Sequence, residues 1–379
     1  MKIVVAPDSF KGSLSAKKIC NIVENVSKKM FEDVTVIKVP MADGGEGTVE
    51  SLIEILNAEM VNIEVKNPLG NPIIASYGIF DETKAIMEMA AASGITTVSN
   101  EERNVLEQNT FGTGEMILDA INRGIKTIYI GIGGSATNDG GMGFASAIGV
   151  KFLDINGREL NPIPKNFMKI STIDRSKINP KIADVEIIIM SDVKNPLLGN
   201  KGATYVFGRQ KGVTNDDIQW VENGMEHYIT LVEKTFEISV KSIPGAGAAG
   251  GLGAGLLAFT NANIKEGVQT IMDILEVESK IKDADLVFTG EGMMDYQSAY
   301  GKVASGVGLL AQKYQVPCIA IVGSMGKDAE KMYDFGITSI MTTVNGVMSL
   351  EQAIDRADEL FYSAVERACR IYGIHSNKI

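Results

Sequence analysis

Four times along the chain an apolar run gives way to a short loop crowded with glycine, and three of those loops also carry carboxylates. The fullest is Ile128 to Gly143, Ile-Tyr-Ile-Gly-Ile-Gly-Gly-Ser-Ala-Thr-Asn-Asp-Gly-Gly-Met-Gly, in which six residues are glycine. The others are Pro40 to Thr48 with Asp43 and Glu46, Pro244 to Gly253 without an acid, and Thr289 to Asp295 with Glu291. Each reads as a strand feeding a tight loop. Glycine lets successive backbone N–H groups turn inward toward an anion without a Cβ in the way. Repeated pairing of such donors with carboxylates is what handling a metal-bound polyphosphate requires. The same glycines would also let a helix pack closely on a sheet, and the residues leave both uses open.

A chain of 379 residues exceeds what one core usually serves and points to two domains. Its 22% charged and 45% hydrophobic residues are those of an ordinary globular protein. A formal charge of −11 with no offsetting basic run argues against a nucleic-acid partner or an anionic membrane surface. The longest uncharged run, Ser242 to Ile264, is nearly long enough to span a bilayer, but its glycines, Pro244 and Thr260 make it a poor span. Asp8 and Lys11 come too early for a signal peptide, so cytoplasmic residence is expected. Cys20, Cys318 and Cys369 stand far apart in apolar contexts and are expected to be buried thiols. With only His227 and His375, a Ser-His-Asp triad or a His-ligated zinc has little to work with. The chemistry falls to carboxylates, lysines and backbone.

Taken in order, Ile3 to Ala6 reads as a buried strand and the helix after it as capped by Ser15. That places Asp8 and Lys11 at a strand's carboxyl end, where open α/β sheets bind ligands. A strand over Val34 to Val39 and a helix with Val49, Leu52, Ile53 and Leu56 follow. Alternation in Val61 to Lys66, a turn at Asn67-Pro68-Leu69-Gly70 and a return over Ile73 to Phe80 predict a hairpin. Glu88 stands among methionines and alanines and would need a partner if buried. A helix over Gly114 to Arg123 precedes the central strand, and a hairpin is predicted to turn at Asn156-Gly157. Val185 to Met190 is a buried strand that delivers Asp192, and Lys194, Lys201, Arg209 and Lys211 form a local basic excess after it. Thr214 opens a helix toward Glu233, Glu237 to Ile243 reads as a strand, and Ile264 to Leu275 reads as a helix. Asp285 to Thr289 is a strand, Lys302 opens a helix to Lys313, strands fall at Val316 to Gly323 and Ile337 to Thr342, and Leu350 to Tyr372 closes the chain as a long helix.

The expected fold is α/β. A discontinuous parallel-sheet domain of the Rossmann or flavodoxin type is built from residues 1–75 and 284–379, with a second α/β domain, 76–283, inserted in it. Gly245-Ala246-Gly247-Ala248-Ala249-Gly250 has the spacing of a dinucleotide fingerprint, but the helix expected over Ile264 to Leu275 occupies the place of its second strand. No Walker A sequence exists, because neither Lys302 nor Lys327 has the required glycines.

Several long segments together resemble the bacterial glycerate kinase family, the kind found in glyoxylate, glucarate and galactarate breakdown. They are Ala6 to Gly12, Met41 to Thr48, Gly131 to Gly141, Asp192-Val193 with Asn195-Pro196-Leu197, and Gly245 to Gly255, and the likeness covers nearly the whole chain. The resemblance implies ATP-dependent phosphorylation of D-glycerate, with Mg²⁺, on a two-domain α/β fold. One departure stands out: where a similar family motif usually has arginine and threonine, Gly290 to Ser298 has Met293 and Ser298, which removes a cation from that loop.

Phosphoryl transfer needs a metal to bridge nucleotide oxygens, donors to spread the developing charge, and a base for the hydroxyl proton. Asp192 and Asp295 are the candidates for Mg²⁺ ligation or hydroxyl deprotonation, and Lys11 for balancing the transferred charge. The substrate and phosphate contacts are expected from Asp8 in the first loop and from Asp43, Gly44 and Glu46 in the second. Gly133, Gly134, Ser135, Thr137, Asn138 and Asp139 supply the central loop, Gly245 and Gly247 the third, and Gly290, Glu291 and Lys302 the last. Two other readings remain open, a non-catalytic sugar-acid-binding protein on the same fold and an NAD(P)-dependent oxidoreductase. The residues say nothing of which hydroxyl receives the phosphate, and they leave a homodimer open.

Overall fold

The computed structural model describes residues 1–41, 48–299 and 301–376, and these fall into two compact units, Met1–Gly44 with Glu266–Ile379, and Gly45–Lys265. The first unit opens with β1 (Lys2–Val5), α1 (Ala16–Met30) and β2 (Thr35–Lys38). Helix α1 starts where the Ser15 side chain accepts from Lys18 N at 3.2 Å, and it buries Ile19, Cys20, Val23 and Val26 at helical spacing. Strand β2 runs parallel to β1 with Ile3 opposite Val36.

The second unit follows in the chain. Helix α2 (Thr48–Ile55) leads to the antiparallel hairpin β3 (Glu59–Lys66) and β4 (Pro72–Phe80), whose turn is held by Asn67 Oδ1 accepting from Leu69 N and Asn71 N. Next come β5 (Lys84–Glu88), α3 (Phe111–Asn122), β6 (Thr127–Gly131), α4 (Met142–Ala147) and the small pair β7 (Lys151–Leu153) and β8 (Thr172–Asp174). Then β9 (Glu186–Met190), α5 (Ala203–Phe207), α6 (Ile218–Phe236), α7 (Leu252–Phe259) and β10 (Asn261–Lys265) complete it. Its six-stranded sheet has the order β10-β9-β6-β5-β4-β3, parallel from β10 to β5 and antiparallel beyond. The core beneath it includes Tyr77, Phe144, Phe152, Phe167 and Tyr228, each of which contributes roughly 1.5–3 kcal/mol when fully buried.

The chain then returns to the first unit through α8 (Gly267–Ile274), β11 (Leu286–Thr289), β12 (Met293–Met294) and α9 (Val303–Lys313). It ends with β13 (Cys318–Val322), β14 (Ser324–Met325), β15 (Ser339–Thr342) and α10 (Ala357–Ser376). The five-stranded sheet is parallel throughout, in the order β15-β13-β11-β1-β2. This is the doubly wound order of flavodoxin-type folds, and the winding reverses between β1 and β11. The α/β class, the discontinuous parallel-sheet unit and the inserted second unit all match the expectation from sequence.

Several finer expectations do not hold. The unit boundaries lie near 44 and 266, not 75 and 284, because β4 hydrogen-bonds to β5, with Gly78 opposite Ile86, and so draws the hairpin into the second sheet. Glu237 to Ile243 is not a strand: the N–H groups of Val240 and Lys241 both donate to Glu233 Oε1, at 2.8 and 3.0 Å. Ile264 to Leu275 is not one helix, since β10 ends at Lys265 and α8 begins at Gly267. The closing helix is broken at Arg356, with a separate segment Leu350–Asp355 capped by Ser349 and Gln352. At Asn156-Gly157 the chain does turn, but only the isolated bridge Leu153–Glu159 pairs across it, and the ladder partner of β7 is β8. Among the described residues no helix is long and apolar enough to cross a membrane.

Candidate active site

In the first unit β1 and β11 are neighbours, with Val5 opposite Phe288, so the loops leaving their carboxyl ends start side by side at the switch point. They are laced together: Asp8 N donates to Gly290 O at 2.9 Å and Thr289 Oγ1 to Ala6 O at 2.8 Å. Gly290 must be glycine, because a Cβ there would lie 1.9 Å from Ile321 O. Asp8 Oδ1 accepts from Ser9 N at 2.7 Å, and Lys11 is exposed two residues further on. Glu291 is only 7% exposed; its Oε2 lies 3.3 Å from Lys302 Nζ, while Oε1 is buried with no hydrogen-bond partner among the described residues. Asp295 is partly buried and organises its own loop, Oδ1 accepting from Gln297 N at 2.8 Å and its N–H donating to Ser298 Oγ at 3.1 Å. Met293 is 54% exposed in β12, opposite Ser324 of β14.

In the second unit Glu88, Gly131 and Met190 stand in register on β5, β6 and β9, so three loops leave one edge together. Glu88 Oε1 accepts from Val49 N at 3.2 Å, and Asp192 is exposed just past β9. The central loop is fastened by Ile95 N to Gly134 O at 2.8 Å and Ala136 N to Ser93 O at 3.0 Å. Gly133 and Gly134 are its exposed part, whereas Ser135 to Asp139 are buried. Asp139 is wholly buried and spends its carboxylate inward. It accepts from Thr110 N and Thr110 Oγ1, both at 2.8 Å, from Gly143 N at 2.9 Å and from Gly141 N at 3.2 Å. Burial raises its pKa and those four bonds oppose the rise. Asp139 therefore fixes the loop's shape and does not face a ligand. Among the described residues Thr137 Oγ1 and Asn138 Oδ1 are buried without partners, and Asn138 Nδ2 donates to Thr204 Oγ1 at 3.2 Å.

Gly245 and Gly247 do not present a phosphate cradle, since both N–H groups donate to Asn195 O, at 3.2 and 3.0 Å. Their segment packs against the central loop. Gly140 N donates to Gly250 O at 3.0 Å, and Gly250, at φ +64°, stands so close that a Cβ would lie 2.0 Å from Thr137 O. Here the glycines serve close packing. Asp43, Gly44 and Glu46 lie outside the described residues.

One residue of the basic excess read from the sequence, outside the contacts expected there, lies beneath the central loop. Lys211 is 2% exposed, and its Nζ donates to Ser135 Oγ at 2.6 Å and to Thr137 O at 2.8 Å. Burial pushes its pKa down from 10.5 to about 7, against the pull of Asp139. Cys20, Cys318 and Cys369 are buried, and desolvation holds all three thiols far above neutrality.

Each unit thus gathers strand-end loops at one edge of its sheet. Residues 3–373 match the model of the Glycerate kinase family. The chain belongs to that family. It is 42% identical over 363 residues to a glycerate kinase of Halalkalibacterium halodurans, covering 96% of each chain. It is also 42% identical over 371 residues to the glycerate 2-kinase of Escherichia coli K12, covering 98% of this chain and 96% of that one. A crystal structure of a candidate glycerate kinase 2 from Salmonella typhimurium LT2 superposes with a TM-score of 0.89 at 37% identity, over 100% of this chain and 99% of that one. As a member of the glycerate kinase family the chain is a kinase, an enzyme of phosphoryl transfer.

Proposed function

We propose that the chain transfers the γ-phosphoryl group of ATP to a hydroxyl of D-glycerate, giving phosphoglycerate and ADP. The observation that carries this reading is the family match along 3–373, joined to loops that hold Asp8, Lys11, Gly133, Gly134 and Asp192 just past the carboxyl ends of the parallel strands β1, β6 and β9. The name of the Escherichia coli relative supports the 2-hydroxyl as acceptor.

In this reading the chain's own groups divide the work. The exposed Gly133–Gly134 edge and Ser135 hold anionic oxygens, and Lys11 offsets the charge that develops on the transferred group. Asp192 or Asp295 takes the proton of the acceptor hydroxyl. Among the described residues no three His, Cys, Asp or Glu side chains gather into a metal cage. The residues present fit Mg²⁺ in its usual role, bound by one or two carboxylates together with nucleotide oxygens. Asp192 or Asp295, whichever does not act as the base, is the carboxylate that would hold it, and it would neutralise phosphate charge there. A supply of ATP also favours the cytoplasm as its place of work.

A coupled ADP-release assay tests the proposal. ADP should form only when both D-glycerate and ATP are present, and nicotinamide absorbance should not change. ADP release indifferent to D-glycerate, or nicotinamide reduction instead, would remove the assignment.

A further inference from the structure

Lys211 is buried beneath the central loop of the second unit and touches it twice, at Ser135 Oγ and Thr137 O. An ammonium has three protons and no lone pair, whereas a hydroxyl has one proton and two lone pairs. When Lys211 donates to Ser135 Oγ, the serine proton cannot point back at the lysine. Among the described residues that hydroxyl has no acceptor of its own, and its exposed neighbours are Gly133 and Gly134.

We propose that Lys211 is a positioning residue for the transfer site: by donating to Ser135 Oγ and Thr137 O it directs the Ser135 O–H outward, as a donor to an anionic oxygen of the substrate. This rests on the kinase reading above. A neutral amine would reverse the arrangement, because its lone pair would accept the serine proton and withdraw that donor from the ligand. Burial brings Lys211 to about pH 7, so both forms exist near neutrality, and Asp139 is the charged group whose field acts on it. An arriving anion favours the ammonium, so binding takes up a proton from the buffer. The anionic oxygen belongs either to the carboxylate of the hydroxy acid or to a phosphoryl group of the nucleotide.

The test is calorimetric titration of the full chain at pH 7.5, in buffers of different ionisation enthalpy, with D-glycerate in one arm and a non-hydrolysable ATP analogue in the other. Wild type should take up part of a proton in at least one arm, and that arm names the source of the anion. Lys211→Met should abolish the uptake and weaken kcat/KM about tenfold or more, as loss of a hydrogen bond to a charged ligand does. Ser135→Ala, a smaller change, guards against misfolding of the first variant. The fall of wild-type kcat/KM above pH 7 should flatten in Ser135→Ala, because no hydroxyl remains to be turned. No uptake in either arm, or a Ser135→Ala profile identical to wild type, overturns the inference. Either result in an enzyme that still phosphorylates D-glycerate would leave the proposed function standing; absence of wild-type turnover would remove both.

Discussion

Asp139 and Lys211 show how far apart the chemistry of a side chain and its use can lie. By type Asp139 is a metal or phosphate residue, yet its carboxylate is consumed by two N–H groups of the loop and by Thr110. Asp139→Ala should therefore unfold at lower urea, losing on the order of 3 kcal/mol, because several buried donors would be orphaned together. Lys211 carries the opposite lesson. A lysine two residues from Arg209 reads singly as solvated surface, and nothing local announces that Ser135 and Thr137 will accept from it. Its folded pKa of about 7 lies below its ordinary 10.5, so between those values the unfolded chain binds more protons. Stability should accordingly rise with pH through that window, and the rise should be smaller in Lys211→Met, as urea midpoints measured from pH 7 to 10 would reveal.

Elements were legible where period and punctuation agreed. Helix α1 with its Ser15 cap, the hairpin β3–β4 and the buried strands β6, β9, β11 and β13 all stand where apolar runs and turn residues placed them. The failures have local causes. Glu237 to Ile243 has strand-like alternation, but Glu237 sits in the left-handed region at φ 57° and the Glu233 carboxylate takes the N–H groups a ladder would need. Strand β10, Asn-Ala-Asn-Ile-Lys, is poor in β-branched residues and gains its place from pairing with β9. The glycine loops kept two uses open in sequence, and the backbone separates them position by position. Gly250→Ala should cost roughly 3 kcal/mol, since a Cβ would strike Thr137 O from a strained φ. Gly133→Ala meets nothing within 4 Å, so its urea midpoint should stay within about 0.5 kcal/mol of wild type.

At the scale of the whole molecule, the discontinuous parallel sheet followed from the likeness of the chain's two ends. The boundaries did not, because the hairpin joins the second sheet through β5, whose parallel pairing with the sequence-distant β6 no local window of residues displays. In the first unit the strand order supplies a reason for where the candidate ligand loops lie, the reversal between β1 and β11. Lys11→Ala in one unit and Asp192→Ala in the other should each lower kcat about a hundredfold, if each acts on the transition state. Wild-type kinetics in both variants would remove these two residues from the chemistry. The central claim, phosphoryl transfer to glycerate, is tested most directly by ³¹P NMR of the chain with ATP, Mg²⁺ and D-glycerate. Loss of the γ-phosphate signal should be matched by equal growth of a phosphomonoester and of ADP. Growth of inorganic phosphate alone, or an unchanged ATP spectrum with glycerate bound, would contradict it.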